Sequence, residues 1–129
     1  MGVSVLLALS LLIPDGRPAA PCATMPAANL VQRLAVIRCV SDFLNPPGGY
    51  EKAVSIATCE SYPWIEARLV DDGNYGAFQL NRRYYRERWE RFARPYGLPN
   101  RPLVLVVNTY VAMGLAIEQG GWSAWSCDR

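Results

Sequence analysis

The chain has 129 residues, 51% hydrophobic and 19% charged, which suffices for one small globular domain with its own core and excludes disorder as the main state. Its 13 basic residues against 11 acidic ones leave a net charge of +2, too little to argue for nucleic acid, and all but Lys52 of the basic residues are Arg. There is no His, so a Ser-His-Asp triad, a Cys-His dyad and a HExxH zinc site are excluded within this sequence, and acid–base work at neutral pH falls to carboxylates, Tyr, Lys52 or a Cys.

From the start, Val3 to Ile13 is an apolar run that ends at Pro14, Asp15 and Gly16. It is too short to cross a bilayer core of about 30 Å as a helix and has the length of the middle of a secretory signal. Ala19 and Ala20 offer a cleavage position, although no basic residue precedes Val3. Residues 1–20 are therefore expected to be a secretory leader; an ordered N-terminal helix and the stub of a membrane anchor are the alternatives. Cys22, Cys39, Cys59 and Cys127 contain no CxxC pair, and an even number behind a leader points to disulfides in a secreted protein rather than to buried thiols. The arithmetic leaves three connectivities open. Pro21 argues against lipid modification of Cys22.

Leu30, Leu34, Ile37 and Val40 recur at helical spacing, so the spacing predicts an amphipathic helix over 27–44, stopped by Asn45, Pro46, Pro47, Gly48 and Gly49. A second helix from about Tyr50 carries Ala53, Val54, Ile56, Ala57 and Cys59, delivers Glu60 near its end and is limited by Pro63. Asp71, Asp72, Gly73 and Asn74 form a turn between β-capable stretches at 69–70 and 75–80, which predicts a small hairpin. Tyr85, Trp89 and Phe92 define a third helix over 82–94 with an Arg-rich outer face. That face reads as solvated surface, although its arginines outnumber Glu87 and Glu90 and suit an anionic polymer. A loop at 96–102 precedes a buried final helix over 103–117, which contains Asn108 and Thr109 and ends at Gly120 and Gly121.

Glu60 is the carboxylate of interest. It follows Cys59 in an apolar helix and precedes Ser61, Tyr62 and Trp64, surroundings that disfavour its charged form and would keep it protonated enough to be a general acid. The plainer reading is a surface charge at a helix end.

Cys59-Glu60-Ser61, Ala67, the run Asp72-Gly73-Asn74-Tyr75-Gly76-Ala77-Phe78-Gln79-Leu80-Asn81, Asn108, and Gly121-Trp122-Ser123-Ala124-Trp125-Ser126-Cys127 resemble the soluble-lytic-transglycosylase branch of the lysozyme-like superfamily. The likeness is to small secreted actinobacterial members related to resuscitation-promoting factors, and it covers 50–127 in order and spacing. It implies a mainly helical α+β lysozyme-like domain over 50–129 with a small β-hairpin beside the cleft, and leaves 21–49 as an N-terminal helical extension. It also implies an enzyme acting on the β-1,4 bond between N-acetylmuramic acid and N-acetylglucosamine. Glu60 matches the catalytic acid, Ser61 the hydroxyl beside it, and Tyr75 and Gln79 the Tyr-Gly-x-x-Gln segment lining the sugar cleft. Cys59 and Cys127 match a disulfide pair, leaving Cys22 with Cys39.

The sequence departs from that pattern at Tyr62, Pro63 and Trp64, where a narrowed cleft or an aromatic glycan contact is expected. Gly76 is expected to serve the backbone path, Phe78 and Leu80 the core, and Trp122 and Trp125 to anchor the C-terminus. Asn108-Thr109-Tyr110 only loosely matches the late Ala-Tyr-Asn segment of larger members, so Tyr110 is a weak site candidate. Asp71 and Asp72 are candidates for the second carboxylate that glycoside hydrolysis ordinarily uses, although such a string is more often simply a turn. Without them, Glu60 alone acts as acid and then as base, giving a 1,6-anhydro product, as in similar transglycosylases. This chemistry requires no metal or cofactor, and the acidic turn lacks EF-hand spacing. The expected partner is the glycan strand of peptidoglycan, met by a secreted, wall-associated monomer with no nucleic acid and no stable membrane span. A hydrolytic muramidase, a silent glycan-binding module and a disulfide-stapled interaction protein are the competing readings.

Overall fold

The structure, a computed structural model, describes residues 20–128. The expected leader, 1–20, lies outside them apart from Ala20, which is buried and whose N–H donates to the Tyr96 carbonyl (3.2 Å). The chain is mainly helical: α1 (Leu30–Leu44), α2 (Gly49–Glu60), α3 (Arg82–Phe92) and α4 (Leu105–Gln119), with 3-10 turns at Arg94–Tyr96 and Ser126–Asp128. Between α2 and α3 lies a small antiparallel sheet of β1 (Val70–Asp71), β2 (Asn74–Tyr75) and β3 (Leu80–Asn81), paired in chain order.

α4 is buried on all sides from Leu105 to Met113, the signature of a central helix rather than a surface one. α1 and α3 both pack on it, and α2 packs on α1. The segment 21–49 thus shares one apolar core with the rest: Val36, Ile37 and Val40 of α1 lie in the same cluster as Val107, Val111 and Trp122. Gly114 permits close approach of α3, because a Cβ there would lie 2.5 Å from Cγ of Phe92.

α1 starts three residues later than its apolar spacing suggests. Asn29 caps it by accepting from the Gln32 N–H (2.9 Å), while the Gln32 side chain accepts from the Ala28 N–H (2.7 Å), a reciprocal arrangement that fixes the boundary. Asn45 ends the helix with φ 53°. The expected hairpin becomes a three-stranded sheet because 75–80 is not one strand. Gly76 (φ 74°) and Gln79 (φ 48°) take left-handed backbone, and the Gln79 amide donates to the carbonyls of Gly76 (2.9 Å) and Leu69 (3.2 Å). The Leu69 carbonyl also accepts from the Gly76 N–H (2.7 Å) and the Gly76 carbonyl from the Gln79 N–H (3.0 Å), so the side chain reinforces a turn over Gly76–Gln79 that separates β2 from β3.

The disulfides join Cys22 to Cys39 and Cys59 to Cys127. Among the described residues no helix is long and apolar enough to cross a membrane.

Candidate functional site

Glu60 is the last residue of α2, and its neighbour fixes how the chain leaves the helix. The fully buried Ser61 hydroxyl donates to the Ala57 carbonyl (2.8 Å) and accepts from the Glu66 N–H (2.9 Å). Ser61 therefore braces the turn that follows, and both partners of its hydroxyl are backbone groups. On the other side the C-terminal turn closes over Glu60. The Cys59–Cys127 bridge and the Lys52–Asp128 ion pair hold that turn to α2, and the Cys127 N–H donates to the Glu60 carboxylate.

Glu60 opens into a cleft of about 210 Å³. The sheet region contributes Asn74, Gln79, Leu80 and Asn81, α3 contributes Arg88, and α4 contributes Leu115. Ala124, Trp125 and Ser126 form the C-terminal wall. Burial raises the Glu60 carboxyl above its ordinary value, and the Cys127 N–H pulls the other way with the smaller effect. Among the residues lining the cleft Glu60 is the only acid. The remaining polar groups, apart from Arg88, are amides and a hydroxyl, which suit neutral sugar hydroxyls and acetamido groups.

The sheet side of the cleft is shaped by one buried side chain. Asn108, fully buried on α4, accepts from the Phe78 N–H (3.0 Å) and donates to the carbonyls of Tyr75 and Pro102 (both 2.9 Å). A Cβ at Gly76 would collide with its amide, so glycine is needed there for space as well as for φ. Trp125 completes the clamp from the C-terminal side, its indole N–H donating to the Phe78 carbonyl (2.7 Å). Trp122, equally buried, donates to the Pro47 carbonyl (2.8 Å) and stacks on Phe78. Both tryptophans anchor the C-terminus, and Trp125 in addition faces the cleft.

Of the residues singled out from sequence, Glu60 and Gln79 meet in the cleft. Tyr75 is half-buried, lies edge-on to Tyr85 (5.9 Å between centroids) and is not among the lining residues. Tyr62 and Trp64 are 78% and 60% exposed outside the lining, and the Tyr62–Pro63 peptide is cis. Asp71 and Asp72 are exposed on the β1–β2 turn and do not line the cleft. Asp72 and Gly73 both take positive φ (47° and 76°), the requirement of a two-residue hairpin turn, so their positions serve the turn. Tyr110 is fully buried in α4 against Phe43 and Tyr96, and burial pushes its hydroxyl up to about 12. Phe78 and Leu80 are core residues.

Sequence reasoning missed Asn74, Asn81, Ser126 and Arg88 as cleft residues. For Arg88 a signal existed: it immediately precedes Trp89 and lies three residues after Tyr85, on the flank of the buried stripe of α3.

A larger depression of about 400 Å³ is lined by Met25, Leu103 to Val106, Ala67 and the charged Arg33, Glu66 and Arg68. Arg33 and Glu66 are engaged locally. Arg33 donates to the carbonyls of Ala27, Ala28 and Trp64, and Glu66 accepts from the Arg68 N–H. The smaller cleft, with its perturbed acid, is therefore the candidate site.

Comparisons with protein-family models, with curated proteins and with solved structures find no match.

Proposed function

We propose that this chain is a peptidoglycan-cleaving lytic transglycosylase in which Glu60 is the single acid–base residue. The observation that carries the reading is a carboxyl raised by burial, standing alone as the acid of a cleft whose other polar side chains are mainly amides, with Arg88 as its one cation. The motif resemblance running from Cys59 to Cys127 supplies the substrate class, the bond between N-acetylmuramic acid and N-acetylglucosamine.

In this scheme the protonated Glu60 donates to the glycosidic oxygen as the C1–O bond breaks. The resulting carboxylate takes the proton of the muramyl C6 hydroxyl while that oxygen attacks C1. A 1,6-anhydro end forms, no water is consumed, and Glu60 returns to its acid form. A single carboxylate suffices for this sequence, whereas hydrolysis ordinarily employs a second one across the bond. The positions of Asp71 and Asp72 outside the lining favour the former.

The test is mass spectrometry of soluble products from purified peptidoglycan and the oxidised protein, with Glu60→Gln alongside. Glu60-dependent 1,6-anhydromuramyl fragments are expected. Glu60-dependent reducing ends would instead make it a muramidase. Retention on wall material by both proteins, with no fragments, would favour a binding module, a reading to which the exposed Tyr62 and Trp64 lend support.

A further inference from the structure

We infer that Arg88 is a specificity-determining residue of the cleft, placed to read a carboxylate carried by the muramyl side of the glycan. The inference rests on the glycosidase reading above and names the kind of strand the site takes.

The arginines of α3 differ in how their charge is used. Arg86 pairs with Glu90 (3.6 Å), and Arg91 pairs with Glu87 (3.5 Å) and Glu118. Arg88 lines the cleft and, among the described residues, has neither an ion-pair partner nor a hydrogen bond. Its guanidinium stands over the Tyr84 ring one turn earlier on the helix, 5.1 Å from the centroid. A ring face steadies the cation without occupying its N–H donors. Nor is the charge absorbed by Glu60, whose carboxyl responds to burial and to the Cys127 N–H.

A lone, pre-positioned guanidinium among Asn74, Gln79, Asn81 and Ser126 suits a ligand that is neutral except for one anionic group. An N-acetylglucosamine ring has no such group. Its muramyl neighbour carries a lactyl ether whose carboxyl is free wherever no peptide is attached; where a peptide is attached, the carboxylates belong to the stem. Both sources present the planar, two-oxygen acceptor that a guanidinium binds through paired N–H donors. If the lactyl group is read, an amidase-class reaction that strips the stem must come first.

The test compares the full oxidised chain with Arg88→Gln and Arg88→Lys on three substrates: amidase-stripped glycan strands, peptide-bearing strands, and stripped strands whose lactyl carboxyls have been converted to methylamides. Arg88→Gln is expected to lose on the order of ten- to a hundredfold in kcat/KM, mostly through KM, on the strand whose carboxylate is read. Where the lactyl group is the one read, methylamidation should cost the parent a similar factor and leave Arg88→Gln unaffected; in either case Arg88→Lys recovers part of the loss. Dependence confined to stripped strands identifies the lactyl group; dependence confined to peptide-bearing strands identifies the stem. Equal loss on all three substrates, or no loss on any, overturns the inference. Should the parent cleave none of them, the glycosidase reading fails separately, and calorimetric binding of the same strands decides for Arg88: affinity that needs both the guanidinium and the carboxylate supports it, and any other result overturns it.

Discussion

The α1–α4 frame and the Ser61–Asn81 segment are stabilised in different ways. In the frame, polar backbone groups find partners within their own helices and at local caps such as Asn29. The strands of the segment are two residues each, and its fixed points come from far along the chain. Asn108 lies 30 residues beyond Phe78, and Trp125 lies 47 beyond it. The difference teaches that the cleft wall depends on a few long-range polar contacts, whereas the frame distributes its stability over many apolar ones.

The strongest way to break this contrast is to cut the covalent ties. The Cys59–Cys127 bridge spans 68 residues and Cys22–Cys39 spans 17, so replacing each pair by Ser is expected to cost about 4 and about 3 kcal/mol in the chain-entropy account. Urea unfolding of the two double variants measures the order. A larger loss from the shorter loop would show that α1, rather than the cleft, is the part most in need of a tie.

Next in size is Asn108→Ala, which orphans the Phe78 N–H and the Tyr75 and Pro102 carbonyls and is expected to cost about 3 kcal/mol. Hydrogen exchange locates the damage: protection at Phe78 should fall well before protection in α1 does. Uniform loss across both regions would erase the distinction.

A smaller effect has a definite sign. Because burial raises the Glu60 carboxyl, the folded state holds its proton at pH values where the unfolded chain has released it, and the residue's contribution to stability declines as pH rises through that window. Glu60→Gln should therefore have a higher Tm than the parent at neutral pH, with the gain fading below the ordinary glutamate range. A gain that persisted in acid would place its cause elsewhere than in the carboxyl. The least change is expected at Tyr62 and Trp64, both exposed; replacing either by Ala should shift unfolding by no more than about 0.5 kcal/mol.

The four helices of the described residues were legible because apolar periodicity and terminal Asn, Pro and Gly residues are local signals, and the expected boundaries erred mainly where caps intervene, as at Asn29. The β1–β2 turn was legible for the same reason, since Asp72-Gly73 encodes its own φ values. The Gly76–Gln79 bend was not, because alternation of apolar and polar residues mimics a strand, while the left-handed backbone of Gln79 and the bracing of the turn by its own amide show only in the fold. Glu60 could be singled out from its apolar surroundings, and Gln79 from motif resemblance. Asn74 and Ser126 join them only through packing of the sheet and the C-terminal turn, contacts that no local pattern encodes, whereas Arg88 had a local signal in its place on the flank of the apolar stripe of α3.

Trp125 also gives the molecule an optical property. Its indole lines the cleft, its ring N–H is engaged with Phe78, and its ring lies 4.9 Å from that of Trp122. Trp64, by contrast, is largely in solvent and lies outside the cleft lining, so its emission is expected to be red-shifted background. Removing that background with Trp64→Phe leaves Trp89, Trp122 and Trp125, of which Trp125 lines the cleft and reports when it is filled, so that occupancy can be followed without attaching a label to protein or ligand.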